Sequence, residues 1–186
     1  MAPLFIRKSR RGDWDAIKED TPADLTFPAN VLSDILDSEN EISVWEVSDP
    51  PKPEELDRIV AALHARNVNN LTDVTFRLIS GWRVKTKLGL KMKTTVGLSL
   101  DSQLNNAGKH QVIEINSVGD AIELAKAFKG KDPIFYSRDQ VMYAMAAALA
   151  YGRIQSDAIG PGLVKKLFDG RHIQLSLPQS QAATTT

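Results

Sequence analysis

The stretch Ile42–Ile79, ISVWEVSDPPKPEELDRIVAALHARNVNNLTDVTFRLI, decides the fold. Ile42 to Val47 reads as a strand from its β-branched and aromatic content. Pro50 and Pro51 end it, because proline cannot continue a ladder. Pro53 then opens a helix, with Glu54 and Glu55 at the positive end of its dipole. Leu56, Ile59, Val60 and Leu63 form its buried stripe, and Glu54 and Arg58 stand i,i+4 on the wet side. Asn67 to Asn70 stops the helix. Asp73 to Ile79 alternates, with Val74, Phe76 and Leu78 on one face. Strand, helix and strand in this order predict a βαβ-like unit or its split version. The crossover is long enough for a parallel pair without forcing one.

Downstream, Arg83 to Leu100 alternates strictly. Val84, Thr86, Leu88, Leu90 and Met92 fall on even positions, and Arg83, Lys85, Lys87, Lys91 and Lys93 on odd ones. Period two predicts extended chain with one apolar and one cationic face. A straight strand from 84 to 100 would run about 55 Å. The stretch therefore bends at Gly89 or Gly97, protrudes as an arm, or folds into a hairpin, and the preferred reading is one bent strand or two strands sharing a face.

The remaining elements follow from local signals. Gln111 to Ile115 is a strand. Ser117, with Asp120 three residues on, caps a helix burying Ala121, Ile122, Ala125 and Phe128. Ser137 and Gln140 form a capping box for an alanine-rich helix, Val141 to Tyr151, which Gly152 stops. That helix is apolar all round, so burial on every side is expected. Met142, Met145, Ala146 and Leu149 are its candidate self-association residues. Leu163 to Phe168 is a short helix, and Ile173 to Leu177 a last strand. Before Ile42, Leu4 to Ile6 is a short apolar patch ahead of Arg7, Lys8, Arg10 and Arg11, read as an arm or edge strand. Pro28 starts a short helix, Ala29 to Leu36. The fold class is α+β, with a mixed or mainly antiparallel sheet and a helix-rich C-terminal half packed on it. Residues 1–40 are expected as an arm and short helix, 41–177 as one globular domain, and 178–186 as a polar tail.

Composition bounds the function. The chain has 186 residues, 23 Lys and Arg against 23 Asp and Glu, and no cysteine. Disulfides, thiol catalysis and cysteine zinc sites are excluded. A balanced charge disfavours coating nucleic acid over the whole surface. The charges are segregated, however, with 7–11 and 83–93 basic and 13–57 acid-rich. No secretory signal or membrane-spanning run is visible, since a span needs about 20 apolar residues. A soluble, cytoplasmic chain is expected.

Catalytic motifs are missing. His64, His110 and His172 lack metal-ligand spacing. No Gly-x-Ser-x-Gly elbow exists, and Gly160 to Lys166 lacks P-loop spacing. Glu114-Ile115-Asn116 has Asn where a restriction-type nuclease needs Lys. No cofactor and no enzymatic activity are expected. A cationic strand face suits phosphate contact, and only Trp82 adjoins it for base stacking. Arg83, Lys85, Lys87, Lys91 and Lys93, with Arg7, Lys8, Arg10 and Arg11, are the candidate partner-binding residues.

The order strand, helix Val118 to Phe128, Gly130-Lys131 link and second apolar helix ending Leu149-Ala150-Tyr151-Gly152 resembles the central part of rhabdovirus matrix proteins. It spans about a fifth of the chain. The Pro-Pro-x-Tyr motif common in animal members is absent, since Pro50-Pro51 is followed by Lys52-Pro53. The resemblance implies a matrix-like, virion-associated role. The residues themselves lead to a non-enzymatic interaction or assembly protein that contacts an acidic or nucleic-acid partner and self-associates. An RNA- or DNA-binding module is the alternative, and an enzyme whose site assembles from distant residues a further one. Peripheral contact with an anionic membrane fits the same cations.

Overall fold

The computed structural model describes residues 3–9, 14, 17, 27–35, 41–65, 71–95, 101, 104 and 109–169. They form an α+β fold: one six-stranded sheet between two layers of helices. The strands are β1 (Leu4–Ser9), β2 (Glu41–Val47), β3 (Val74–Ser80), β4 (Met92–Thr94), β5 (His110–Glu114) and β6 (Ile134–Tyr136). Their order across the sheet is β4-β5-β2-β1-β3-β6, and every neighbouring pair is antiparallel. The helices are α1 (Ala29–Ile35), α2 (Pro53–His64), α3 (Val118–Lys129), α4 (Arg138–Ala150) and α5 (Pro161–Asp169).

The strand–helix–strand unit is the split kind. β2 and β3 run parallel to each other, and β1 lies between them, antiparallel to both. Leu4 to Ser9 is thus a central strand, neither an arm nor an edge. Its sequence explains the position, because Leu4, Phe5 and Ile6 are consecutive and all buried. A strand covered on both faces needs a continuous apolar run. Leu4 and Ile6 join Phe76, Leu78 and Tyr136 under α2, α4 and α5. Phe5 joins Ile42, Val44, Ile79 and Ile113 under α1 and α3. Residues 27–35 therefore belong to the same core as the rest of the chain, not to a separate arm. Trp14 meets Phe128 edge to face at 6.1 Å in that second layer.

Arg83 to Lys87 corrects the extended reading. These five residues form a π-helical turn, with Leu88 N–H donating to Arg83 O at 3.0 Å. Val84 and Leu88 are four apart, so they lie on one helical face as well as on one strand face. The even spacing fits both periods there, and Thr86, exposed in the structure, is the residue that separates them. Ser80 Oγ accepts from Arg83 N–H at 3.2 Å and opens the turn. Gly89, at φ +67°, closes it in the left-handed conformation glycine favours. Extended chain returns only at β4.

Elsewhere local signals hold. Ser117 Oγ accepts from Asp120 N–H at 3.1 Å. The Ser137–Gln140 box closes in both directions. Gly152 has φ +62° just past α4. β6, a three-residue edge strand, has no counterpart among the sequence expectations. The expected strand 173–177, the tail 178–186 and the second half of 84–100 lie outside the described residues. Arg58 turns from Glu54 to a bidentate pair with Asp101, at 2.9 and 2.7 Å, and the Asp101 carboxylate is buried.

Both Asp101 and Glu55 give measurable consequences. Asp101→Asn removes the charge opposite Arg58 while keeping the volume. It should lower unfolding free energy by about 2–3 kcal/mol, read by urea denaturation, because a half-buried guanidinium is left without its counter-charge. For Glu55, burial alone would raise the pKa, but hydrogen bonds from the Ser48 hydroxyl and N–H, from Lys109 and from the Lys52 N–H overcome this and bring it to about 2. A carboxylate depressed on folding stabilises above its unfolded pKa and loses that contribution as pH falls through the folded one. Melting temperature should drop between about pH 5 and pH 2, and Glu55→Gln should flatten that part of the profile.

Candidate functional site

The cations expected in one row are distributed over three settings. Arg83 sits against the C-terminal end of α3: a Cβ on Gly130 would lie 2.9 Å from its Nη1. A guanidinium there complements the negative end of the helix dipole. Lys93, on β4, bridges Glu41 and Glu114, with the Glu114 contact at 3.4 Å. Those two glutamates are directly opposed across β2 and β5, a repulsive pairing that Lys93 relieves. They hold its ammonium above its ordinary pKa, the Glu41 hydrogen bond contributing most. Lys93 is accounted for by the fold and leaves the site.

Lys85, Lys87 and Lys91 remain. All are exposed, and among the described residues none has a carboxylate partner. The Lys87 ammonium lies 5.5 Å over the ring of Trp82, a residue 51% exposed. The π-helical turn makes this contact, since it places residue 87 one wide turn beyond residue 82. Its anchor is Val84, fully buried under the sheet, with Leu90 beside it. The approach of Arg83 to Gly130 brings the chain of Lys129 and Lys131 to the same end of the sheet, a proximity no local pattern announces.

Arg7 and Lys8 lie near the other end of β1. There the sheet parts. β1 pairs with β2 from Leu4↔Val47 to Ile6↔Trp45. Beyond that point β1 stays with β3 as far as Ser9↔Thr75, and β2 stays with β5 as far as Glu41↔Glu114. A cleft of about 280 Å³ occupies the wedge, lined by Arg7, Lys8, Ser9, Asp34, Ser43, Trp45 and Leu63. Arg7 donates to the backbone carbonyl of Asp34 and reaches that of Ser43 at 3.5 Å. The Asp34 carboxylate accepts from Trp14 Nε1 at 2.9 Å. Trp45 leans on His110, ring centroids 5.4 Å apart. Of the cleft residues, the sequence singles out Arg7 and Lys8 alone. Ser43 and Trp45 read as ordinary strand residues, and no sequence signal marks where two neighbouring strands part. Arg10 and Arg11 lie outside the described residues.

Behind the cleft, His64 is buried on α2. Its Nδ1 donates to Val60 O at 2.9 Å, and its Nε2 is buried without a hydrogen-bond partner. Burial lowers its pKa, and the Lys8 charge adds to the effect. Burial likewise lowers His110, whose Nδ1 lies 2.7 Å from Thr95 Oγ1. Both rings are therefore neutral near pH 7. Among the described residues no group of three or more His, Asp or Glu could hold a metal ion.

The alanine-rich helix is covered on one side only. Met145 and Ala146 are buried within the subunit, and Met142 and Leu149 pack against the same core. Met145 and Ala146 are thus core, and Met142 and Leu149 are half-buried against it. The outer face is open instead, with Tyr143 and Tyr151 62% and 74% exposed. No described helix is long and apolar enough to cross a membrane. No family model, no curated protein and no solved structure matches this chain.

Proposed function

We propose that this chain is a non-enzymatic interaction protein that docks a polyanion on the turn 82–91. One observation carries the reading. Lys85, Lys87 and Lys91, exposed and without carboxylate partners among the described residues, share a core-anchored turn and its loop with a half-exposed indole, over which Lys87 lies. A helical turn and its loop, rather than a flat sheet face, present the cations.

Trp82 favours single-stranded nucleic acid among polyanions. Non-specific single-strand binders combine cations that follow the backbone with an aromatic face on which a base stacks. An acidic protein surface would use the lysines and have no need of the indole. The geometry offers one stacking residue, so sequence preference should be slight.

Fluorescence anisotropy with a labelled single-stranded RNA, across a salt series, tests this. Wild type should bind more weakly as salt rises. Lys85→Ser, Lys87→Ser and Lys91→Ser together should flatten the log–log slope by about 2, because each lysine withdrawn from a phosphate reduces it by about 0.7. Trp82→Ala should weaken binding by roughly fivefold to a hundredfold without changing the slope, since stacking is worth about 1–3 kcal/mol per base. Lys93→Ser should leave both unchanged. Absence of salt-dependent RNA binding by wild type, or binding of polyglutamate-coated surfaces by a route indifferent to Trp82, would remove the nucleic-acid assignment.

A further inference from the structure

We propose that the outer face of α4 docks on the same face of a second copy of this chain, with the two helices antiparallel. The surface is separate from the turn 82–91 and uses none of its residues. Asp139, Tyr143, Ala147 and Tyr151 are spaced four apart, so they form one stripe along the helix. Tyr151 N–H donates to Ala147 O at 3.0 Å, which keeps the last of them on the helical path. Tyr143 and Tyr151 are the most exposed large side chains of the helix, Asp139 is exposed and Ala147 is half-buried. No charged residue stands between Asp139 and Arg153. The solvent side of a globular helix ordinarily carries charges, and a helix that is apolar all round is ordinarily buried all round. Here the subunit covers α4 on one side, and the other side offers two phenol rings among alanines.

Charge complementarity selects the occupant. Asp139 stands at the N-terminal end of the stripe, exposed and without an ion-pair partner among the described residues. Arg153 stands at the other end, its guanidinium 5.1 Å over the Tyr151 ring. The face is negative at one end, apolar in the middle and positive at the other. Such a face complements itself when a copy is turned end for end about Ala147, the two-fold arrangement of an isologous dimer. Tyr143 of one copy then meets Tyr151 of the other. Asp139 falls beside the Arg153 of the other copy at both ends of the pair, because each tyrosine has its charged neighbour with it. A uniformly acidic or basic partner would set like charges against one end. The small side chain of Ala147 at the crossing lets the two helices approach closely.

The tyrosines are the anchors, since a few aromatic side chains carry most of the energy of an interface. Four phenol rings, each burying about 150 Å², supply about half of the ~1,200 Å² at which stable interfaces begin. The pair is therefore of the transient class and forms in the micromolar range. Tyrosine suits a face that is wet part of the time, because its ring is apolar and its hydroxyl polar.

Sedimentation equilibrium of the nuclease-treated full chain, from about 5 to about 500 µM, tests the assignment. The average mass should climb with concentration from that of one chain, 20.5 kDa, toward that of two. Tyr143→Ser and Tyr151→Ser should each weaken association about tenfold. Asp139→Arg and Arg153→Asp each set like charges against each other, and each should weaken self-association by about threefold to tenfold. An equimolar mixture of those two variants should associate to within about threefold of wild type, because every pair across the mixed interface is again of opposite sign. Damage to folding cannot produce that rescue. A chain that stays single at every concentration overturns the proposal. So does a dimer that Tyr143→Ser leaves intact, or a mixture that associates no more tightly than its components. Flotation of a single chain with neutral phosphatidylcholine vesicles, abolished by Tyr143→Ser, would give the face to a lipid surface instead.

Discussion

The structure depends on three residues, Leu4, Phe5 and Ile6, being apolar in succession. Side chains alternate along a strand, so a run of this kind has something to bury on both faces. Leu4 and Ile6 receive α2, α4 and α5, while Phe5 receives α1 and α3. A strand that was apolar on one side could have held one helical layer and would have sat at a margin. The run ends at Arg7, and pairing with β2 ends with it. A guanidinium and an ammonium on adjacent residues project into both helical layers at once. Taking such charges out of water is costly, and the backbone carbonyls of Asp34 and Ser43 meet the Arg7 guanidinium there. The parting of the strands is thus the far end of the apolar run that makes β1 central.

The remaining charges are distributed by the same logic. Arg58 meets Asp101, Lys109 meets Glu55 at 3.2 Å, Lys93 meets two glutamates, and Arg83 meets a helix end. Each tie links segments distant in sequence, so no local pattern could foretell it. The clearest case is Arg58, whose i,i+4 neighbour Glu54 is outcompeted by a buried carboxylate that fits both nitrogens of the guanidinium fork. Among the described residues, the cations that the fold leaves without carboxylates are a smaller and more informative set than the basic stretches suggest.

Legibility in the sequence follows the range of the interaction. The α+β class, the strand–helix–strand order and the caps at Ser117 and Ser137 rest on interactions within a few residues, and they are readable. Three features are not. The turn at Arg83–Lys87 escapes because Val84 and Leu88, four apart, satisfy two periods equally, and lysine accepts either backbone. The place of β1 escapes because three apolar residues are too few to declare a central strand by pattern. The outer face of α4 escapes because alanines on an exposed face look like alanines in a core, so Tyr143 and Tyr151 read as buried with the rest. For the candidate sites the lesson is similar. Lys85, Lys87 and Lys91 are visible as charge, but their separation from Lys93 needs the turn. Arg7 and Lys8 are visible as well, but Trp45 and Ser43 join them through strand register alone.

The two cationic places lie toward opposite ends of one strand. Pro3, next to Leu4, accepts from Gly81 N–H at 2.8 Å, which fixes the turn at one end of β1. Lys8 is four residues beyond Leu4, about 14 Å at the rise of an antiparallel strand. That distance exceeds the screening length of about 8 Å at physiological salt, so charge bound at one place has little electrostatic hold on the other. Mechanical coupling is limited too, because Leu4, Phe5 and Ile6 between them are locked in both core layers. Charge placed on the turn would therefore leave the far end of β1 nearly undisturbed. Any effect there would have to pass through movement of β1 itself, and a strand held on both faces is the element of this fold least free to move.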